Sequence, residues 1–179
     1  MLKMLPAVLV LGLLSACWAE EEADPRAEYA AQYKGRVLDN IMLADVNGNP
    51  QKLVPDDYDP SKPLVVNLWA TWCTPCVKEM PSLYRLQQSG NAYVIAVTSD
   101  RKDERVRDFL AEHNLKNLNV RWDKSSKGMR EAGMAVPALP VTFILRQEGE
   151  GFVVKSAEMG EREWDHPKML KKIMRVFGE

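Results

Sequence analysis

Histidine and cysteine are scarce in this chain, with two of the first and three of the second among 179 residues. There is no second C-x-x-C and no third cysteine near the one pair, which argues against a thiolate zinc site. An excess of charge of one sign is also missing. Lys and Arg number 24 against 25 Asp and Glu, a formal net charge of −1. No basic stripe stands out, so the electrostatic footprint of a nucleic-acid binder is absent. No apolar run reaches the ~20 residues that a spanning helix needs, and no internal repeat marks a solenoid. What remains is an ordinary globular composition, 46% hydrophobic and 27% charged. The length suits one domain with a sizeable core, expected to be monomeric. Nothing in the sequence asks for a metal or an organic cofactor.

The N-terminus differs from the rest. Lys3 is a lone positive charge, and residues 4–16 are uncharged and mostly apolar, the shape of a secretory signal. The run ends in Leu14-Ser15-Ala16-Cys17, which resembles a bacterial lipobox. The expectation is a signal peptide over 1–16, a lipid on Cys17, a stalk over 17–34 and a folded domain over 35–179. An uncleaved anchor is the alternative. Either arrangement places the domain outside the cytoplasm and attaches it to a membrane. With Cys17 assigned to lipid, Cys73 and Cys76 are left as a pair in a compartment that permits a disulfide.

Hydrophobic periodicity gives the elements. A short helix can form over 26–34. Residues 35–53 read as a hairpin around Asn47-Gly48-Asn49-Pro50. Residues 64–69 and 93–98 are short apolar runs that read as buried strands. Helical spacing covers 77–88, with Pro81 inside it, and 103–114. A strand over 118–122 and a helix over 125–132, closed by Gly133, come next. Residues 141–145 and 152–157 form a second hairpin, and 167–177 is a final amphipathic helix. The order is a hairpin, then β-α-β-α-β-α, then β-β-α, an α/β core closed by an antiparallel pair.

The chemistry lies in Trp72-Cys73-Thr74-Pro75-Cys76. A C-x-x-C between a strand and a helix is a redox signal. So short a ring stabilises a fold less than a long-range bridge would, although a purely structural disulfide is the alternative. Cys73 falls at the helix N-terminus, where unpaired N–H groups and the helix dipole favour a thiolate. The thiolate is the attacking species in exchange. Cys73 is therefore the expected nucleophile and Cys76 the resolving thiol, with Pro75 setting the first turn.

The segment Val66-Asn-Leu-Trp-Ala-Thr-Trp-Cys-Thr-Pro-Cys-Val-Lys-Glu-Met-Pro81 resembles the active-site stretch of TlpA/ResA/CcmG-type thioredoxin-like proteins. A second segment, Val136-Pro-Ala-Leu-Pro140-Val-Thr-Phe-Ile-Leu145, is similar to the family's loop that ends in a cis-proline. The resemblance runs from about Gly35 to Phe177. It implies an α/β thioredoxin-like fold with an N-terminal β-hairpin extension and a central helix-strand insertion. It implies a cis Pro140 facing the disulfide and Leu139 offering its backbone to an extended substrate. Trp72 and Thr74 would belong to the docking loop. Glu79, three residues after Cys76, would be a buried carboxyl that moves protons for the resolving thiol. Asn67 stands where ordinary thioredoxins place a buried Asp. A solvated helix Glu remains the plain alternative for Glu79. The implied partners are disulfide-containing proteins, for example in cytochrome c maturation, and a membrane thiol donor that re-reduces the pair. An oxidising role, a thiol peroxidase and a copper chaperone on the same fold are the competing readings.

Overall fold

The computed structural model describes residues 24–178. The expected signal over 1–16, the lipid site Cys17 and the stalk up to residue 23 lie outside the described residues. In chain order the elements are α1 (Pro25–Ala31), β1 (Val37–Leu38), β2 (Met42–Ala44), β3 (Pro50–Lys52), β4 (Leu64–Trp69), α2 (Thr74–Ser89), β5 (Tyr93–Thr98), α3 (Asp103–Glu112), β6 (Val120–Trp122), α4 (Lys127–Glu131), β7 (Val141–Glu148), β8 (Gly151–Met159) and α5 (Pro167–Gly178). A 3-10 turn, Lys124–Ser126, leads into α4.

All eight strands join one sheet in the order β1-β8-β7-β4-β5-β6-β2-β3. β4 pairs in parallel with β5, and β5 with β6, while β7 runs antiparallel to β4 and β8 antiparallel to β7. This is the thioredoxin-like layout that the sequence led us to expect, with α3 and β6 as the inserted helix and strand. Every residue of β4 is buried, because both faces of this central strand are covered. Successive side chains point to opposite faces. Val65 and Trp69 therefore pack in a cluster with Met80, Leu83, Phe109 and Ile173 of α2, α3 and α5. Leu64, Val66 and Leu68 pack in the other cluster, with Tyr33, Met129 and Phe143.

The helix that carries the cysteine pair has clear local causes. Cys73 is its N-cap, and Pro75 lies in its first turn, where a missing N–H costs nothing. Met80, Leu83 and Leu86 form the buried stripe. Gly90 stops the helix at φ 69°, a left-handed conformation that glycine adopts without a Cβ penalty.

Two expectations are corrected. Residues 24–34 are not the end of a loose stalk. Asp24 accepts a hydrogen bond from the Arg26 N–H at 2.9 Å and caps α1, with Pro25 at its first position. The acid followed by proline, inside the expected stalk, is here a helix start. Tyr33 is only 1% exposed, lies edge-on to Phe143 at 5.1 Å and donates its hydroxyl to the Ala135 carbonyl. The second correction concerns the hairpin over 35–53. Only β2 and β3 form it, and Ala44 of β2 pairs with Trp122 of β6. β1 lies at the far edge of the sheet and pairs with β8 through Val37–Val153 and Leu38–Phe152.

Docking of this N-terminal segment is testable. Tyr33→Ala is expected to cost about 3 kcal/mol or more in urea denaturation. A stalk residue would shift stability by less than about 0.5 kcal/mol.

Candidate active site

β4 gives way to α2 through Ala70-Thr71-Trp72, at the carboxyl end of the parallel strands, where open α/β sheets place their sites. The turn closes with the Cys73 N–H donating to the Ala70 carbonyl at 3.1 Å. Cys73 and Cys76 are joined as a disulfide, with Cα atoms 5.2 Å apart. Cys73 is 6% exposed and Cys76 wholly buried, so a visiting thiol meets Cys73 first. The Cys76 N–H donates to the Cys73 sulfur at 3.3 Å. Once the bond is reduced, that N–H and the helix N-terminus favour a thiolate on Cys73.

Thr71 is strapped down from β5. The Asp100 carboxylate accepts from the Thr71 N–H at 2.9 Å, the Thr71 hydroxyl at 2.7 Å and the Thr98 hydroxyl at 2.6 Å. The Trp122 indole N–H donates to the Asp100 carbonyl at 2.6 Å. The loop before Cys73 is thus fixed by the ends of two neighbouring strands.

Glu79 is 2% exposed. One carboxyl oxygen accepts from the Asn67 amide at 2.7 Å. The other accepts from the Arg162 backbone N–H and from the Trp164 indole N–H, both at 3.0 Å. Burial pushes the Glu79 carboxyl from its ordinary 4.5 up to about 7, against the opposing pull of the Trp164, Asn67 and Arg162 donors. The Asn67 amide also donates to the Thr142 hydroxyl at 2.8 Å, and its own oxygen has no partner. A small cavity of about 230 Å³, lined by Lys78, Glu79, Glu161, Arg162 and Glu163, lies beside the carboxyl.

The Leu139–Pro140 peptide bond is cis, and the Pro140 carbonyl accepts from the Gly160 N–H at 2.9 Å. Trp72 is 66% exposed, whereas Trp69 belongs to the core. Trp72 and Leu139 line one groove of about 830 Å³. Thr74 is exposed and Pro75 half-buried in the first turn of α2, and neither lines that groove. Of the two histidines, His113 stacks against Phe109 at 4.3 Å, and His166 accepts from the Lys168 N–H. Asp100, Thr142 and Trp164 went unnoticed in the sequence. Asp100 had a signal, a polar Thr-Ser-Asp at the end of a buried strand. Trp164 had none, because its partner lies 85 residues upstream.

Comparison with known proteins gives the family and supports the fold. A family model described as Redoxin matches residues 23–173. The thiol-disulfide oxidoreductase ResA of Bacillus thuringiensis subsp. konkukian is 30% identical over 142 residues, covering 78% of each chain. The thioredoxin-like protein YneN of Bacillus subtilis is 34% identical over 153 residues, covering 82% of this chain and 85% of the other. Among solved structures, a DsbF homologue from Corynebacterium diphtheriae shares the fold. Its TM-score is 0.61 at 19% identity, over 77% of this chain and 84% of that one.

The raised Glu79 carboxyl sets a pH dependence. Below pH 4.5 folded and unfolded chains both hold its proton. Between pH 4.5 and about 7 the folded chain keeps a proton that the unfolded chain has lost. Stability therefore falls as pH rises through this window, by about 3 kcal/mol, and levels off above it. Glu79→Gln should remove that component. Urea denaturation across pH should show the parent losing ground to the variant between pH 4.5 and about 7, whereas parallel curves would contradict the assignment.

Proposed function

Because this chain belongs to the Redoxin family, as a thioredoxin-like thiol–disulfide oxidoreductase of the TlpA/ResA/CcmG type, we propose that it reduces disulfides in partner proteins through Cys73 and Cys76. The carrying observation is the disulfide at the head of α2, with Cys73 alone reachable and the buried Glu79 carboxyl one turn beyond Cys76.

In the reduced protein the Cys73 thiolate attacks one sulfur of the partner disulfide. A bond forms between Cys73 and that sulfur, and the second partner sulfur leaves as a thiolate and takes up a proton. Glu79 in its carboxylate form accepts the Cys76 proton, and the Cys76 sulfur attacks Cys73. The mixed disulfide breaks, the Cys73–Cys76 bond closes, and the other partner sulfur departs and is protonated in turn. Two electrons have passed to the partner. A thiol donor at the membrane then returns the pair to the dithiol. Pro140 and Leu139 present the edge on which an extended partner segment lies, as in strand addition, and Trp72, Thr74 and Pro75 form the rim around Cys73.

The proposed setting is extracytoplasmic, with the chain tethered by a lipid on Cys17 and acting on proteins such as those of cytochrome c maturation. The Leu14-Ser15-Ala16-Cys17 string supports this. No helix among the described residues is long and apolar enough to cross a membrane. Since α1 is docked from Asp24 onward, the tether spans 17–23. Fully extended, those residues reach roughly 25 Å.

Cys73→Ala should abolish exchange, and Cys76→Ala should accumulate the mixed disulfide on Cys73. Glu79→Gln should slow closure of the mixed disulfide by roughly 10–100-fold at pH 7 in quenched single-turnover reactions. Direction is read from the Cys73–Cys76 reduction potential in glutathione buffers. A value near thioredoxin's, about −270 mV, supports reduction, and one near DsbA's, about −120 mV, overturns it.

A further inference from the structure

The groove shared by Trp72 and Leu139 adjoins the disulfide through Trp72, the residue before Cys73. It also takes in Arg101 and Lys102, on the link from β5 to α3, and Arg105 in the first turn of α3. All three cations are exposed, and none makes an ion pair or a side-chain hydrogen bond among the described residues. Arg107 on the same helix behaves differently, pairing with Asp103 at 2.5 Å and donating to the Val46 carbonyl at 2.7 Å. The one carboxylate lining the groove is Asp100, which is 1% exposed and has both oxygens taken up by Thr71 and Thr98. Glu104 and Asp108 of α3 do not line it. In a chain of net charge −1, this places three free cations against one buried, occupied carboxylate beside the reactive pair. The rest of the lining is residues 136–139, Trp72 and the serines 99, 125 and 126. Trp72 adjoins Cys73, and Leu139 adjoins the cis-proline. A segment lying along 136–139 would therefore have its cysteine at one end of the groove and its neighbouring side chains among the cations.

We propose that this groove selects partner proteins whose target cysteine is flanked, a few residues along an extended segment, by Asp or Glu. The proposal rests on the reading of Cys73–Cys76 as the reacting disulfide and adds the substrate class. Charge complementarity carries the choice of occupant. Exposed pairs of this kind act chiefly on association rate and on discrimination between partners, and salt weakens them.

The test uses disulfide-bonded model peptides that differ only at positions three to five from the cysteine, carrying Glu in one and Gln in the other. Glutathione disulfide is the third probe. The reduced wild-type protein is compared with Arg101→Gln/Lys102→Gln/Arg105→Gln, and with Lys168→Gln/Lys171→Gln on α5 as a charge control outside the groove. At low salt the wild type should reduce the Glu peptide about tenfold faster in kcat/KM than the Gln peptide. The ratio should fall toward one in the triple variant and at high salt, and stay near ten in the α5 control. Equal wild-type rates on both peptides overturn the acidic-partner proposal and leave the exchange reading intact. A preference that the α5 control loses as fully as the triple variant does, or one shown for glutathione disulfide but not between the peptides, also overturns it. Failure of the wild type to reduce any of the three overturns the exchange reading itself.

Discussion

One buried carboxyl organises the reactive end of this molecule. The face of β4 turned toward α2 has to be apolar for packing, yet it carries Asn67. The buried stripe of α2 has to be apolar too, yet it carries Glu79. Alone, each would be a costly buried polar group. Together, at 2.7 Å, the Asn67 amide N–H satisfies one Glu79 oxygen, although the Asn67 oxygen is left without a partner. The arrangement closes only because Thr142 on β7 and the Arg162–Trp164 turn before α5 contribute as well. Residues from β4, α2, β7 and that turn thus meet at one carboxyl. Its tendency to stay protonated near neutral pH follows from burial that outweighs three hydrogen bonds.

A second set of contacts fixes the sulfur side. Asp100 at the end of β5 holds Thr71, and Trp122 of β6 holds Asp100. The loop between β4 and α2 therefore has little freedom, and Cys73 is presented at the head of the helix with Cys76 behind it. Trp72 is exposed, Cys73 shows only an edge to solvent, and Cys76 and Glu79 of the same helix are buried. The parallel strands make this possible, because their carboxyl ends and the first turn of α2 converge there.

Local patterns were legible wherever period and punctuation agreed. β4 and β5 were clear from short apolar runs, that of β4 broken only by Asn67, α2 from its spacing and from Gly90, and the β7–β8 hairpin from the glycines between its strands. The cysteine pair and the cis-proline segment were legible as motifs. Contacts set by distant partners were not. Tyr33 is buried because Phe143 lies beside it, and nothing near Tyr33 announces this. β1 joins β8 across more than a hundred residues, so its local appearance suggested the wrong hairpin. Asp24-Pro25 suits a linker or a helix cap equally, and only the surface waiting on β8 decides between them. At the site, the burial of Glu79 followed from the resemblance, but its partners Arg162 and Trp164 were not readable.

The most direct test of this account is the ionisation of Glu79 itself, followed in the oxidised protein by side-chain carboxyl carbon NMR with Glu79→Gln to assign the signal. A midpoint near 7 is the expected result. A midpoint in the ordinary glutamate range near 4.5 would mean that this carboxyl is charged throughout the working pH range, and the proton-handling role built on it would fall.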